Sequence, residues 1–246
     1  MQGKVVLVTG GAKRVGAAIC RRLHAAGANI VIHYRGSLYE ALALRAELND
    51  LRANSAQCVQ ADLLDVAALK AMIQESINCF GQLDALVNNA SSFYATPLPK
   101  VDELQWNDLL GTNMKAPLFL AQAAAEELHH RQGCIVNIAD IHADRPMHGH
   151  LLYSAAKAGL VALTKGLAQE LAPQVRVNAV APGVISWPED EEWQDEERRS
   201  KIIAHTLLKR EGEPDDIART VKFLIADAPY ITGQIISVDG GRSVNI

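Results

Sequence analysis

The sequence predicts an α/β fold: a single-domain, Rossmann-type doubly wound parallel sheet of about seven strands. Two observations support this. Short runs rich in β-branched residues alternate with longer stretches of helical periodicity, and no linker rich in proline, glycine or serine divides the 246 residues. Parallel strands need long crossover connections, which the helical stretches supply, so helices should cover both faces of the sheet.

Each predicted element follows from its local pattern. The strands are short apolar runs: Val-Val-Leu-Val at 5–8, Ile-Val-Ile-His at 30–33, Ala-Gln-Cys-Val-Gln at 56–60, Ala-Leu-Val at 85–87, Cys-Ile-Val-Asn-Ile at 134–138, Val-Arg-Val-Asn-Ala-Val at 175–180 and Ile-Ile-Ser-Val at 235–238. The stretches between them have helical periodicity and are predicted helices. They occupy residues 14–26, 38–53, 66–80, 102–130, 151–171 and 214–226.

Charge and composition exclude several classes of protein. The 24 Lys and Arg against 28 Asp and Glu give a net charge of −4, which disfavours binding along a nucleic-acid backbone. No apolar run approaches the ~20 residues of a membrane span, and the first residues lack the pattern of a signal peptide. The four cysteines, Cys20, Cys58, Cys79 and Cys134, are widely spaced, which is typical of reduced thiols. We therefore expect a cytoplasmic protein with no nucleic-acid or membrane partner.

The eight histidines do not form a metal-binding pattern. The close groups are His129 with His130, and His148 with His150, and neither has an acidic or cysteine ligand at suitable spacing. We therefore predict no metal site. Because His148 and His150 lie just before Tyr153, we expect them to line the cleft.

A glycine-rich loop, Thr9-Gly-Gly-Ala-Lys-Arg-Val-Gly16, joins the first predicted strand to the first helix. Gly10 allows a tight turn, and Gly16 allows the helix to pack closely on the strand. The amino end of the helix then offers amide donors to a pyrophosphate. Such a loop is a weak signal alone, but between a strand and a helix it predicts a dinucleotide site.

Cationic residues follow the second strand, where a dinucleotide site usually carries an acid that binds the ribose 2′-hydroxyl. The chain reads His33-Tyr-Arg-Gly-Ser37 there, and the glycine-rich loop adds Lys13 and Arg14. Cationic and hydroxyl groups suit a 2′-phosphate, which a carboxylate would repel. The predicted cofactor is therefore NADPH, and the alternative is that Arg35 merely points into solvent.

Two further strand ends carry candidate cofactor contacts. Asp62 and Leu63 follow the third strand, where Asp62 could bind the adenine amino group or cap the next helix. Asn89 and Ala90 follow the fourth strand, where small and amide side chains let the backbone approach the cofactor ribose.

Tyr153 and Lys157 are four residues apart, so they share one face of a predicted helix. A neighbouring ammonium favours phenolate, so we expect Lys157 to lower the pKa of Tyr153 toward the range of an acid–base catalyst. The spacing is common by chance. Its significance comes from Asn113 and Asp140 upstream and from the dinucleotide loop.

With these features in place, the sequence resembles the short-chain dehydrogenase/reductase family over its whole length. The matching residues are Thr9-Gly10, Gly16, Asn88-Asn89-Ala90, Asn113, Tyr153, Lys157 and Pro182-Gly183. The resemblance implies that Tyr153 donates a proton, that Lys157 binds the nicotinamide ribose, and that Asn113 holds a water in a proton relay. The residues expected to bind the cofactor are Gly10, Lys13, Arg14, Val15, His33, Tyr34, Arg35, Ser37, Asp62, Leu63, Asn89, Ala90, Tyr153, Lys157, Pro182 and Gly183.

Two departures from the family pattern carry more information than the matches. Arg14 stands where the usual loop has a glycine, and Asp140 stands where most members have a serine, thirteen residues before the tyrosine. An ionised carboxylate cannot donate a hydrogen bond to a carbonyl, so ordinary ketone reduction is disfavoured. A carboxyl group beside Tyr153 suits protonation of a ring nitrogen instead.

Both departures resemble the pteridine reductases, including the bacterial dihydromonapterin and dihydrofolate reductases. The shared residues are Lys13-Arg14, His33-Tyr34, Asn88-Asn-Ala-Ser-Ser-Phe93 and Asp140. This resemblance implies that Phe93 stacks the pterin against the nicotinamide. It implies that Ser91 and Arg14 bind polar groups of the pterin and phosphates of the cofactor. Asp140 with Tyr153 would pass a proton to the pterin, and the competing interpretations are a core aromatic for Phe93 and a strand-end cap for Asp140.

The resemblance therefore implies an NADPH-dependent reductase of a pterin or folate, assembled as a homotetramer through the helices at 102–130 and 151–171. Two alternatives stay open: a carbonyl reductase of the same family, such as a 3-oxoacyl-carrier reductase, and a non-catalytic NADP-binding protein. A serine at position 140 would have favoured the first. Loss of Tyr153 or Lys157 would have favoured the second.

An acidic run over residues 187–199 interrupts the alternation of strands and helices, with seven acidic residues among its thirteen. Such a run has little apolar area to hold itself in place. We predict a mobile substrate flap near 184–205, which closes over the substrate. A solvated helical segment is the simpler interpretation, and the two are compatible.

Overall fold

The predicted strands form one parallel sheet in the computed structural model, which describes residues 1–187 and 195–245. They are β1 (Val5–Val8), β2 (Asn29–Tyr34), β3 (Ala56–Gln60), β4 (Ala85–Asn88), β5 (Cys134–Ile138), β6 (Arg176–Pro182) and β7 (Ile235–Val238). Their order is β3-β2-β1-β4-β5-β6-β7, with every neighbouring pair parallel. The predicted fold class is confirmed, and the strand order reverses between β1 and β4.

Helices cover both faces of this sheet. The described α-helices are α1 (Arg14–Ala25), α2 (Leu38–Leu51), α3 (Val66–Phe80), α4 (Glu103–Leu110), α5 (Ala116–Arg131), α6 (Leu151–Glu170), α7 (Glu196–Ala204) and α8 (Pro214–Ala226). Successive residues of β1 point to opposite faces, so Val6 and Val8 pack with α1, α2 and α8, whereas Val5 and Leu7 pack with α3 and α5. None of the described helices is long and apolar enough to cross a membrane.

The helix predicted over 102–130 is interrupted in its middle. A wide π-helical turn at Gly111–Lys115 separates α4 from α5 and carries Asn113. Such turns are rare and frequently occur at functional sites. The prediction of one uniform α-helix was wrong here, because apolar periodicity does not reveal one extra residue in a turn.

Asp65, and not Asp62, caps α3. The Asp65 carboxylate accepts hydrogen bonds from the amides of Ala67 and Ala68, at 3.0 and 3.3 Å. Asp62 instead accepts from the amide of Leu64 at 3.0 Å, within the loop that precedes the helix. The interpretation of Asp62 as the helix cap is therefore wrong.

A buried polar relay fixes α6 against the ends of the central strands. The Asn88 side-chain amide donates to Asn137 Oδ1 at 2.8 Å, and the Asn137 amide donates to the Thr164 hydroxyl at 2.9 Å. Buried polar groups are costly unless they are paired, so this relay restricts how α6 can slide along the sheet. Tyr153 and Lys157 lie on the same helix and take their positions from it.

Candidate active site

A cavity of about 590 Å³ opens at the carboxyl ends of the strands, above the reversal between β1 and β4. Every residue predicted to bind the cofactor lines it, and so do Ser91 and Asp140. Phe93 and Asn113 are not among its lining residues. The sequence analysis missed lining residues that lie close to predicted ones in the chain: Ala12, Gly36, Ser92, Thr112, Ile138, Ala139, Ile185 and Ser186.

The glycine-rich loop and the end of β4 approach too closely for ordinary side chains. Gly10 has a φ of +59°, and a Cβ on Gly16 would lie 2.2 Å from the Gly10 carbonyl oxygen. The Asn89 side-chain amide donates to the carbonyls of Thr9 and Gly10, at 2.9 and 3.1 Å. The Thr9 hydroxyl accepts from the backbone amides of Asn89 and Ala90. The amino end of α1 therefore faces an open cradle, which fits the pyrophosphate of a dinucleotide.

His33 is a neutral structural residue of the cavity wall. The Gly10 amide donates to its Nδ1 at 3.1 Å, so Nε2 carries the ring proton and donates to the Ala61 carbonyl at 3.2 Å. Burial lowers the pKa of His33 to about 4. His33 therefore ties the loop after β1 to the end of β3, and its neutral ring adds no positive charge for a phosphate.

The groups predicted to bind a 2′-phosphate belong to the wall of the cavity. Lys13, Arg35 and Ser37 all line it. Lys13 Nζ lies 3.4 Å from a carboxylate oxygen of Glu40, and both side chains are about half exposed. Exposed ion pairs contribute little stability, so Lys13 can exchange Glu40 for a phosphate at small cost.

Arg14 bridges the cavity. It begins α1 with a φ of +51°, a conformation that costs a non-glycine residue roughly 1–2 kcal/mol. Its Nη2 donates to the carbonyls of Ser186 and Trp187, at 3.1 Å each. Arg14 therefore joins the loop after β1 to the segment after β6. Its contacts with cofactor phosphates and substrate remain predictions, because here its guanidinium holds protein carbonyls.

Tyr153 and Asp140 form a hydrogen-bonded pair at the centre of the cavity. Tyr153 Oη donates to Asp140 Oδ2 at 2.7 Å, and Tyr153 is only 5% exposed. The other carboxylate oxygen, Oδ1, accepts from the His142 amide at 2.8 Å and so caps the turn that follows β5. Asp140 therefore caps the turn after β5 and is also hydrogen-bonded to Tyr153, and its transfer of a proton to a substrate stays a prediction.

Burial and the neighbouring carboxylate control the protonation of Tyr153. Burial raises the pKa of Tyr153 well above its usual range, and the charge and hydrogen bond of Asp140 raise it further. The expectation that Lys157 lowers this pKa is wrong in this arrangement, because Lys157 Nζ donates to the Ile138 carbonyl at 2.8 Å and lies 5.6 Å from the centre of the tyrosine ring. Burial also lowers the pKa of Lys157 to about 8.

Asn113 acts on the cavity through Ser91. Its side-chain amide donates to the carbonyls of Ser92 and Leu109, both at 2.9 Å, and its Oδ1 accepts from the Ser91 hydroxyl at 2.6 Å. Ser91 also lies within hydrogen-bonding reach of Tyr153. The π-helical turn therefore fixes a hydroxyl beside Tyr153, and the water contact of Asn113 stays a prediction.

Phe93 lies beside Tyr153, at the edge of an apolar cluster. Its ring is edge-on to Tyr153, with 4.8 Å between ring centroids and 82° between ring planes. The half-buried ring also packs against a cluster that contains Leu109 and Leu152. Phe93 therefore combines a core contact with a position next to Tyr153, and its stacking with a pterin stays a prediction.

The histidines that precede Tyr153 lie away from the cavity. His150 is buried and His148 is exposed, and neither is among the lining residues, so the expectation that both line the cleft was wrong. The rings of His129 and His130 are 6.1 Å apart, edge to face. Among residues 1–187 and 195–245, no group of three or more His, Cys, Asp or Glu side chains is placed to hold a metal ion.

The predicted flap falls only partly within the described residues. Residues 188–194, the centre of the acidic run, lie outside them. Ser186 lines the cavity, and the Arg199 guanidinium lies 5.3 Å from the centre of the Trp187 ring. Asp195 caps α7 with its side chain, so the last residues of the acidic run are helical. Closure of the flap over a substrate stays a prediction.

Several known proteins with similar sequences carry the names of reductases or oxidoreductases. A sequence profile of the family described as enoyl-(acyl carrier protein) reductase matches residues 10–243. Pteridine reductase 1 of Leishmania tarentolae is 38% identical over 281 aligned positions, which cover 98% of this chain and 96% of that protein. A 3-oxoacyl-(acyl-carrier-protein) reductase of Staphylococcus aureus is also 38% identical, over 241 positions and 97% of both chains. An uncharacterised oxidoreductase of Methylorubrum extorquens is 35% identical over 98% of both chains.

Replacing Arg14 by alanine should loosen the segment after β6, because the variant loses the two hydrogen bonds to the carbonyls of Ser186 and Trp187. We expect amide hydrogen exchange at residues 184–187 to become about tenfold faster, the effect of losing ~1.4 kcal/mol of local stability. Lys13→Ala is the matched control, since Lys13 lies in the same loop and pairs with Glu40. Unchanged exchange in Arg14→Ala would show that these bonds do not hold the segment.

Proposed function

Because the chain belongs to the short-chain dehydrogenase/reductase family, we propose that it is an NADPH-dependent pteridine reductase. Membership of that family makes it an oxidoreductase that uses a nicotinamide dinucleotide. The proposed reaction reduces the ring imine of a dihydropterin or dihydrofolate to the tetrahydro form. The relationship to a pteridine reductase supports this proposal, and so does the chemistry of one pair of side chains.

The observation that favours a pterin is the hydrogen bond from Tyr153 to the Asp140 carboxylate at 2.7 Å. A ketone needs hydrogen-bond donors at its oxygen, and an ionised carboxylate supplies none. A ring imine instead has a nitrogen that must gain a proton as the adjacent carbon gains hydride. A phenol and a carboxyl group in contact can hold and pass that proton.

In the proposed mechanism, the residues of the chain hold the substrate and move one proton. NADPH, when bound, supplies the hydride that the imine carbon gains. The raised pKa of Tyr153 keeps its proton in place, because a phenolate beside Asp140 would put two negative charges together in a buried site. A proton taken up from solvent by Asp140 removes that repulsion, and the pair can then deliver one proton to the imine nitrogen.

The charges of the described pocket support NADPH as the cofactor. Lys13, in the loop after β1, lines the cavity with Arg35 and Ser37, which follow β2, and these groups would bind the 2′-phosphate. The close approach of Gly10 and Gly16 leaves room for the pyrophosphate at the amino end of α1. His33 is neutral, so the proposal rests on Lys13 and Arg35.

A 3-oxoacyl-carrier reductase is the second candidate. The relative with that name is as similar to this chain as the pteridine reductase is, at 38% identity. Ser91 places a hydroxyl within reach of Tyr153, and this hydroxyl could donate to a ketone once it released Asn113 Oδ1. A non-catalytic NADP-binding role has less support, since Tyr153 and Lys157 are both present and buried in the site.

The proposal includes assembly as a homotetramer. Two helical regions are proposed to pair between subunits. The first is the region predicted at 102–130, which α4 and α5 occupy, and the second is α6. Leu104 and Trp106 of α4 are 80% and 50% exposed, which gives this helix an apolar surface that a second subunit could cover.

Replacing Asp140 by serine should restore the common family pattern and abolish most pterin reduction. General acid–base groups contribute about 10²–10⁴ in rate, so we expect single-turnover reduction of a dihydropterin to fall by that factor while NADPH affinity stays the same. Tyr153→Phe should have a similar effect, and the double variant should lose less than the product, because the pair acts as a unit. Stopped-flow measurement of NADPH oxidation gives these rates.

The control for Asp140→Ser is Asp144→Ser, which makes the same change at an exposed position of the neighbouring turn. A near wild-type rate with dihydropterins in Asp140→Ser would remove the main support for a pterin substrate. A gain of acetoacetyl thioester reduction in the same variant would favour the second candidate.

Replacing Arg35 by glutamate should weaken the preference for NADPH. Two charge-assisted contacts with the 2′-phosphate are worth about 2–4 kcal/mol, so wild type should prefer NADPH over NADH by roughly 30-fold or more in kcat/KM. Lys70→Glu, an exposed charge reversal on α3, should leave the preference intact. Equal steady-state efficiency with the two cofactors in wild type would refute the assignment.

The lowered pKa of Lys157 predicts a pH profile for turnover. Below its pKa of about 8 the residue is an ammonium, and as the pH rises past that value it becomes neutral. If the ammonium binds the nicotinamide ribose, kcat/KM should fall above this pH, by about tenfold per unit at the limit. Lys157→Arg should be slower but should keep its rate to higher pH, because a guanidinium stays charged. A wild-type profile that is flat through this range would contradict the prediction.

A further inference from the structure

His150 is a buried histidine outside the cavity, next to the residues that carry the proposed chemistry. It immediately precedes α6, is 3% exposed, and has the loop at Thr96 paired to it in a short parallel bridge. Its Nδ1 lies 3.2 Å from the His148 carbonyl, so Nδ1 carries a proton and donates it. Its Nε2 has no hydrogen-bond partner among the described residues.

The orphaned Nε2 makes histidine an expensive choice at position 150. If the ring is neutral, Nε2 is a buried acceptor without a donor, and if the ring is charged, Nε2 is a buried donor without an acceptor. Either state carries a desolvation penalty that phenylalanine or leucine would avoid. Packing alone therefore does not explain a histidine at this position. The fixed orientation of its ring does.

The ring of His150 is stacked on Phe93. The two centroids are 4.8 Å apart and the ring planes differ by 17°, while Phe93 is in turn edge-on to Tyr153 at 4.8 Å. The hydrogen bond from Nδ1 to the His148 carbonyl fixes the rotation of the imidazole, and the imidazole then restricts the rotation of Phe93. An apolar side chain would have no such bond to set its plane.

The segment that carries Phe93 has little regular structure of its own. Residues 89–95 form neither helix nor strand, and the segment is tied to the residues before α6 at Thr96, whose amide donates to the Gly149 carbonyl. The Thr96 hydroxyl also accepts from the Leu152 amide at 3.3 Å. These bonds hold the backbone after Phe93, so the ring itself depends on its stacking partners for orientation.

We propose that His150 is a positioning residue that fixes the ring of Phe93 as the flat wall against which a bicyclic heteroaromatic substrate packs beside Tyr153. This inference rests on the proposed function, because only a flat substrate would gain from an aromatic wall held at one angle. It predicts that His150 acts on substrate affinity and not on the chemical step, because its ring stacks on Phe93 and its Nδ1 bonds the His148 carbonyl, and neither group moves the proton in the proposed mechanism.

The test compares variants of His150 in the full-length protein with a dihydropterin and NADPH. Aromatic pairs contribute enough energy to change affinity about three- to tenfold, so His150→Leu should raise KM for the dihydropterin by that factor, with kcat and NADPH Kd within about twofold. His150→Phe keeps a stacking ring but loses the hydrogen bond that sets its plane, so it should recover only part of the loss. His148→Leu, the same change at an exposed neighbour, should have no effect.

A double-mutant cycle with Phe93→Leu separates positioning from a general loss of stability. If His150 acts only through Phe93, then His150→Leu should change KM by less than about twofold when Phe93 is already leucine. If His150→Leu does not fold, His150→Gln replaces it, because it keeps a polar group and removes the ring.

The outcomes distinguish this inference from the proposed function. A wild-type protein that reduces no dihydropterin would overturn both. A wild type that does reduce dihydropterins, with an unchanged KM in His150→Leu, would overturn the positioning role alone. The same conclusion would follow if His150→Leu kept its full effect in the Phe93→Leu background.

Discussion

The close approach of the ends of β1 and β4 is the constraint on which the rest of the site depends. Gly16 can carry no side chain there, because a Cβ would lie 2.2 Å from the Gly10 carbonyl, and Asn89 closes the junction with two hydrogen bonds. The crossovers after β1 and after β4 lead to opposite sides of this point. The loops that follow these two strands therefore separate, and a cavity opens between them. The amino end of α1, and with it Arg14, takes its position from this junction.

Burial determines the protonation of Tyr153 and Lys157. Tyr153 and Lys157 are 5% and 2% exposed, and in that environment the pKa of the phenol is raised and the pKa of the ammonium is lowered. Both shifts disfavour charge, and Asp140 influences both residues. The Asp140 carboxylate also opposes a second negative charge on Tyr153, so burial and Asp140 together keep the phenol protonated.

The sequence predicted the parts of the structure that depend on local pattern. All seven strands, and most helix ends to within two residues, follow from short β-branched runs and helical periodicity. Side-chain roles that depend on distant partners were less predictable. The pattern around His33 does not reveal that burial keeps its ring neutral. Lys157 was expected to lower the pKa of Tyr153, but its Nζ donates to the Ile138 carbonyl. Neither burial nor the direction of a long side chain can be deduced from spacing alone.

Overall similarity does not decide between the two candidate substrates, because the two named relatives are equally identical to this chain, at 38%. A sheet, a dinucleotide cradle and a Tyr–Lys pair serve either reaction, so residues that build them carry no information about the substrate. The difference must come from groups that touch the reacting atoms. Of these, Asp140 is the one whose chemistry is incompatible with donating to a ketone while ionised, and it is hydrogen-bonded to the tyrosine at 2.7 Å. The pterin assignment therefore depends on a single carboxylate and not on the similarity of the whole chain.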